Sequence, residues 1–295
     1  MSFKDKQTLI TGGSSGIGKA TAKQLAAAGA HVAIIGRDQA KIDAALEEIR
    51  ASAGHHAGQI IAGYAADVSR YPQVARVVRE LAAANRAPDY LFNFAGMAHP
   101  GYFQDLPLSV FRQTMDTNFF GIVNVCKATV PLMIARGRGH IVNMSSAAGF
   151  MGVFGYSAYG ASKWAVFGFS EVLRSEMKPY GIRVSVVFPS DVDTPQLHEE
   201  NKVKPAETRA IGSTGKVLSA DEVARTVLRQ VARGRFIIVV GSEARLAYLA
   251  RRLLGGDMQL ILDGMVRSAQ RRAGGPRRVD WDQACRQLDE ACSDE

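Results

Sequence analysis

The chain predicts an α/β fold: a doubly wound parallel sheet of about seven strands, with an amphipathic helical extension at the carboxy terminus. Three observations carry this. Short β-rich apolar runs alternate with helix-period segments down to about residue 242, the pattern of parallel strands covered by helices on both faces. A glycine-rich turn separates the first strand from the first helix. The 295 residues, 47% of them hydrophobic, suffice for one domain with a large core.

The elements follow in order. Strands are expected at 7–11, 31–35, 59–64, 89–93, 139–144, 182–188 and 236–240, with helices between them at 39–52, 73–85, 109–135, 157–179 and 220–233. The first unit is TLITGGSSGIGKATAKQLAAAGAHVAIIGR, residues 8–37. Its strand ends at glycines 12, 13, 16 and 18, a helix runs through Ala20, Leu25 and Ala28 to Gly29, and a second strand covers His31 to Ile35. This is a βαβ unit of about 30 residues. Glycines let a backbone turn tightly against a diphosphate, and a helix N-terminus offers free N–H groups and a positive dipole end. The loop therefore reads as a dinucleotide cradle, although its spacing is Gly12-x-x-x-Gly16-x-Gly18 rather than GxGxxG.

A second pattern bears on chemistry. Tyr159 and Lys163 stand four apart in YGASK, thirteen residues after Ser146. Residues i and i+4 share a helix face, so phenol and ammonium can enter one site. A free tyrosine ionises near pH ~10, and a neighbouring ammonium lowers that value. Ser146 could then hold a substrate oxygen that Tyr159 protonates or deprotonates. Taken alone, YxxxK is equally the surface of an ordinary helix.

Together these motifs resemble the short-chain dehydrogenase/reductases, over roughly residues 4–242. TGGSSGIG is similar to that family's cofactor loop, NFAG (Asn93–Gly96) to its NNAG element and Asn118 to its fourth catalytic residue, while IVNMSS places Ser146 at the catalytic serine. The resemblance implies a Rossmann-type sheet and hydride transfer between a nicotinamide cofactor and a carbonyl. It implies that Ser146 bonds the carbonyl oxygen, that Tyr159 moves the proton, and that Lys163 lowers the Tyr159 pKa and bonds the ribose. Asn118 would support the proton relay; a buried, hydrogen-bonded asparagine is the plainer reading. Cofactor contacts are implied for Gly12, Ser14, Ser15, Gly16, Ile17, Gly18, Asp67, Val68, Asn93, Ala95, Gly96, Pro189 and Thr194. Asp67 has a capping role as its simpler reading. Phe94 departs from NNAG, and PSDVDTP (189–195) departs from PGxVxT at Ser190.

Cofactor choice turns on the end of the second strand, Ile35-Gly36-Arg37. An acid there bonds the ribose 2′-hydroxyl of NAD; an arginine pairs with the 2′-phosphate of NADPH. Arg37 favours NADPH, although Asp38 follows directly. The segment QLHEENKVKPAETRAIG (196–212), with PSDVDTP before it, resembles the 3-ketodihydrosphingosine reductases. That implies a long-chain keto-lipid substrate, 3-oxosphinganine, with other long-chain or steroid-like ketones as the alternative. A non-catalytic NADPH-binding scaffold has no need of all four residues. From composition alone, 196–216 reads as a polar, mobile lid.

Beyond 242 two amphipathic patterns appear. Apolar residues recur at 246, 249, 250 and 253, then at 258, 261, 262, 265, 266 and 269, and ten arginines against three acids lie between Arg233 and Arg278. Such a stretch docks on its own protein, on a sister subunit or on an anionic membrane surface. RRAGGPRR (271–278) reads as a basic linker and 280–295 as an acidic tail. The organisation expected is thus a catalytic domain at 1–242, an amphipathic extension at 243–270, and linker plus tail at 271–295.

Net charge is +8 and the isoelectric point about 9.5, which suits an anionic cofactor or membrane surface. No zinc-finger spacing, RNP motif or aromatic-interleaved basic stripe points to nucleic acid. His99, His140 and His198 lack metal-ligand spacing, and no metal is expected. Three cysteines, Cys126, Cys285 and Cys292, fit reduced thiols better than a disulfide framework. With no signal-peptide pattern and no run of 18 apolar residues, the expectation is a cytoplasmic protein, with peripheral contact to the inner face of a membrane as the further option. By analogy with the family, helices 109–135 and 157–179 would form a dimer or tetramer interface.

Overall fold

The structure, a computed structural model, describes residues 3–54, 58–212, 216–272 and Gly275. Most of the 271–278 linker and all of the 280–295 tail, with Cys285 and Cys292, lie outside the described residues. The first half runs β1 (Gln7–Thr11), α1 (Gly16–Ala27), β2 (His31–Gly36), α2 (Gln39–Ser52), β3 (Ile61–Ala65), α3 (Tyr71–Ala83) and β4 (Tyr90–Asn93). Then come α4 (Leu108–Met115), a π turn (Asp116–Phe120), α5 (Gly121–Arg136), β5 (Gly139–Met144), α6 (Ser157–Met177) and β6 (Ile182–Pro189). The remainder is β7 (Val192–Asp193), α7 (Pro195–Val203), α8 (Ala206–Gly212), β8 (Leu218–Ser219), α9 (Ala220–Ala232), β9 (Ile237–Val240), α10 (Ser242–Leu254) and α11 (Met258–Arg272).

Seven strands form one sheet in the order β3-β2-β1-β4-β5-β6-β9, every neighbouring pair parallel. Alternate strand residues serve opposite faces. Ile10, Ile34, Phe92, Val142 and Val187 face α1, α2 and α9. Leu9, Ile35, Leu91, Ile141 and Val184 face α3, α5 and α6. Burial on both sides explains why the strands read as unbroken apolar runs. The order reverses between β1 and β4, where a doubly wound sheet opens a crevice at its carboxyl edge.

The run from Leu108 to Arg136 is long and apolar enough, by length and composition, to cross a membrane. Here α4 packs on α6 and α5 on α3, with the π turn between them.

Two expectations change. The 196–216 segment, read as a polar lid with too few apolar residues for a core element, carries helices α7 and α8. Thr194 caps α7 by accepting the Leu197 N–H, and Pro195 occupies its first turn. Leu197, Glu200, Glu207 and Thr208 are buried. The segment looked too polar for this because its buried carboxylates take hydrogen bonds from tyrosines elsewhere in the chain: Tyr156 donates to Glu200 and Tyr102 to Glu207. In addition, α11 continues to Arg272, so the start of the predicted linker is helix.

Helix α10 turns its apolar stripe away from its own protein. Ala244 and Tyr248 pack inward, Tyr248 lying 5.2 Å from Phe150 between ring centroids. The apolar stripe of Leu246, Leu249 and Leu253 points to solvent. In α11 Met258 and Ala269 are buried, while Leu260, Ile261 and Met265 are exposed.

Candidate active site

The carboxyl edge of the sheet opens into a cavity of about 440 Å³, and most of the predicted site residues meet there. The glycine loop forms its floor. Gly12 (φ +68°) lies so close to Ala95 that a Cβ would stand 2.9 Å from that backbone, and a Cβ on Gly18 would collide with the Gly12 carbonyl. Ser15 starts α1 without a side-chain cap, and the first turn has no acid. The first N–H groups are therefore open to an anion. Gly12, Ser15, Gly16, Ile17 and Gly18 line the cavity with Ala95, Gly96, Pro189 and Thr194. Loop and helix end fit the diphosphate of a nicotinamide dinucleotide.

The rest of the predicted cofactor set lies outside that wall. Ser14 sits against the end of β2 at Gly36. Arg37 is exposed just beyond it. Asp38 caps α2, its carboxylate accepting the Lys41 N–H at 3.1 Å. Asp67 takes the turn role: one carboxylate oxygen accepts the Ser69 N–H at 2.9 Å and hydroxyl at 2.7 Å. Val68 is buried in the core, and its carbonyl accepts from Asn124. Asn93 turns its side chain into the protein, donating to Asn143 at 2.9 Å, and Asn143 donates to Ser170 at 3.0 Å. This buried amide ladder ties β4 to β5 and α6, just before Ala95 and Gly96 reach the cavity.

Ser146, Tyr159 and Lys163 converge at the centre of the cavity. Ser146, just past the end of β5, caps the following turn by accepting the Ala148 N–H at 3.3 Å. Its hydroxyl lies near enough to the Tyr159 phenol to act on its pKa. Lys163 lies one helical turn beyond Tyr159 on α6. Its Nζ donates to the Met144 carbonyl at 3.0 Å and sits 5.4 Å from the Tyr159 ring centroid. Asn118, fully buried in the π turn, clamps two segments. Its Oδ1 accepts the Met97 N–H at 2.8 Å, and its Nδ2 donates to the Met97 carbonyl and to Ser162, both at 2.9 Å. A Cβ on Gly96 would stand 3.2 Å from Asn118 Oδ1 and 3.5 Å from Lys163 Nζ, so the missing side chain is what lets them approach.

The electrostatics differ from expectation. Lys163 was expected to pull the Tyr159 pKa down. In the structure burial pushes it up, the charges of Glu200 and Asp191 add to the rise, and the Ser146 hydroxyl opposes it. Tyr159 therefore keeps its proton at neutral pH. Burial lowers Lys163 to about 8, with Glu200 acting the other way. Cys126, which reads as core in the sequence, is buried with its thiol pushed up to about 12. Among the described residues no cluster could hold a metal.

Sequence reasoning missed Tyr156, Asp191 and Glu200. Tyr156 hydrogen-bonds Glu200 at 2.6 Å, and its ring lies 5.6 Å from that of Tyr159. The available signals were the tyrosine spacing at 156 and 159 and the i, i+4 pair Gln196–Glu200, bonded at 2.8 Å.

Fold and site define a nicotinamide-dependent oxidoreductase. The family model described as short chain dehydrogenase matches residues 6–205, and the chain belongs to that family. A protein named 3-ketodihydrosphingosine reductase from Bos taurus is 38% identical over 236 residues, covering 80% of this chain and 71% of that one. The crystal structure of a short chain dehydrogenase/reductase from Burkholderia phymatum in complex with NAD has a TM-score of 0.75 at 26% identity, covering 88% of this chain and 96% of that one. A short-chain dehydrogenase from Sphingobium yanoikuyae in complex with NADPH gives 0.69 at 27%, covering 92% and 97%.

Proposed function

We propose that the chain reduces 3-oxosphinganine to sphinganine, using NADPH, in sphingolipid synthesis. The observation that carries this is a half-buried Tyr159 beside Ser146 and Lys163 in a cavity that continues past Leu197 and Ile211 to Ala244 and Ala247. Those apolar walls suit an alkyl chain, and the similarity to the bovine reductase supports the substrate.

A nicotinamide cofactor in the cradle supplies the hydride. The chain's own residues do the rest. Backbone N–H groups at Ser15 to Gly18 hold the diphosphate. Ser146 donates to the ketone oxygen, and Tyr159 gives its proton to that oxygen as negative charge develops there. Lys163, the cation 5.4 Å from the phenol ring centroid, would contact the ribose and stabilises the phenolate that Tyr159 becomes when it gives up its proton. Asn118 holds the Met97 segment and α6 together, so that Lys163 stays against Gly96.

NADPH rather than NADH is supported by Arg37 at the end of β2 and by Asp38, whose carboxylate is already committed to the α2 cap. Arg37→Ala should narrow the preference for NADPH over NADH by about 10- to 100-fold in kcat/KM, the worth of a charge-assisted bond. Equal use of both cofactors by the wild type overturns the NADPH assignment.

The lipid substrate also favours a cytoplasmic protein resting on the inner face of a membrane. Leu246, Leu249 and Leu253 are 69%, 51% and 75% exposed on α10, with Arg245 and Arg252 among them. Apolar residues flanked by arginines suit anionic lipid. Removing α10 would strip Tyr248 from the core, so the sharper test replaces those three leucines with serine. Flotation with phosphatidylcholine–phosphatidylglycerol vesicles should then fall while the melting temperature holds. Self-association as a dimer or tetramer is supported by Phe120, Trp164 and Val172, exposed on the 108–136 run and on α6; light scattering measures it.

A further inference from the structure

The cavity contains a carboxylate that ketone reduction does not itself require. Glu200 is 8% exposed. Each of its oxygens accepts one neutral donor: the Tyr156 hydroxyl at 2.6 Å and the Gln196 amide at 2.8 Å. Lys163, Lys204 and Lys216 line the same cavity. Among the described residues, none forms an ion pair with Glu200 within 4.0 Å. Burying a carboxylate costs several kcal/mol unless a charge or a full set of hydrogen bonds offsets it. A carboxylate has about four acceptor sites, and here two are filled.

The position makes this more than a packing matter. The charge of Glu200 acts on both Tyr159 and Lys163, and Asp191 adds a second negative charge on Tyr159. The ketone must lie beside Tyr159 to receive its proton. Hydride delivery leaves negative charge on the ketone oxygen, and two nearby carboxylates oppose that charge. A neutral ketone would meet this opposition unrelieved. A substrate carrying a cation on the carbon next to the ketone would both pair with Glu200 and offset the developing oxyanion.

We propose that Glu200 is the residue that selects α-ammonium ketones, holding the cationic nitrogen one carbon from the reacting centre, with Asp191 reinforcing the field. This rests on the reductase reading above and adds to it a residue and a rule of selection. Gln196 and Tyr156 are positioning residues: they hold the carboxylate toward the cavity, and α7 carries it there.

The test compares two ketones of equal chain length, 3-oxosphinganine and its deamino analogue with hydrogen in place of the ammonium group. The smaller analogue removes any steric explanation. Wild-type enzyme should prefer the ammonium ketone in kcat/KM. Because an ammonium group also makes a ketone more electrophilic, the deciding quantity is the change in that preference on substitution. Glu200→Gln should reduce it on the order of 30- to 100-fold, as loss of a charge-assisted contact does, while Glu200→Asp should retain part of it. Asp191→Asn, at an exposed position that leaves the core untouched, should reduce it by a smaller factor; this arm decides the matter if the Glu200 variants do not fold. A preference unchanged in all variants overturns the proposal and leaves the reductase reading standing, as does a wild type that reduces both ketones equally well. A wild type that reduces neither ketone overturns both.

Discussion

The glycine floor and the helical cover of the cavity are built on opposite principles. The floor, from Gly12 to Gly18, works by what it lacks: missing side chains let strand, loop and helix backbones touch. Its parts are neighbours in sequence. The cover, α7 and α8, works by what it adds: two carboxylates buried against tyrosines 44 and 105 residues earlier in the chain. The lesson is that a shared nucleotide site can be local, whereas the part that meets the substrate is assembled from afar.

The comparison can be broken most forcefully where both regions meet. Tyr159→Phe removes the transferable proton and keeps the ring. Turnover should fall by about 10²–10⁴, the range for a general acid, with cofactor affinity nearly intact by fluorescence titration. Near-normal turnover would remove Tyr159 from the proton step.

A substitution in the floor should show the reverse signature. Gly18→Ala sets a methyl group against the Gly12 carbonyl, which is backbone and cannot swing aside. Overpacking of this kind costs about 1–3 kcal/mol, and cofactor dissociation should rise by roughly 10-fold or more. A variant with unchanged cofactor affinity would show that the cradle has slack.

Acid should weaken the sheet. Burial lowers His140 on β5 to about 4, and its Nε2 meets Ser185 Oγ at 2.7 Å. The unfolded chain binds this proton near pH ~6.5. The folded protein therefore has the full benefit above that pH and loses it as pH falls from about 6.5 toward 4, on the order of 3 kcal/mol in all. Thermal melting across that window, with His140→Gln flattening the dependence, measures it.

The mildest change loosens the cover alone. Tyr102→Phe deletes the hydroxyl that donates to buried Glu207 at 2.9 Å. Leaving an acceptor short of a partner costs about 1–3 kcal/mol. The KM for the long-chain ketone should rise several-fold while cofactor affinity holds; a matching loss of cofactor affinity would mean that floor and cover are one unit.

Legibility in the sequence follows the same division. The strands were readable because those at the centre of the sheet are apolar on both faces, and Ser146, Tyr159 and Lys163 because residues of fixed chemistry sit at fixed spacing. The direction of the Asn93 amide was not readable, since a motif position does not say which way a side chain turns; it runs into the Asn143–Ser170 ladder. The pKa of Tyr159 misled because depth of burial is a tertiary quantity. Glu200 and Glu207 read as lid polarity, for nothing local to 196–212 announces a tyrosine at 156 or 102. The stripe of α10 was visible, but its outward direction is set by Tyr248 packing against Phe150 and Phe188.

The π turn at Asp116–Phe120 has a consequence for how this chain can change length. One extra residue in a turn advances everything after it by about 100° around the helix axis. Because of that offset, one continuous rod presents α4 to α6 and α5 to α3. Deleting a single residue between 116 and 120 would restore a regular helix and rotate all 16 residues of α5 by roughly a quarter turn. Ile122, Val125 and Met133 would leave the core together. Point substitutions can be absorbed along this rod one at a time, but its residue count is fixed, because the offset that seats Asn118 also sets the phase of the helix behind it.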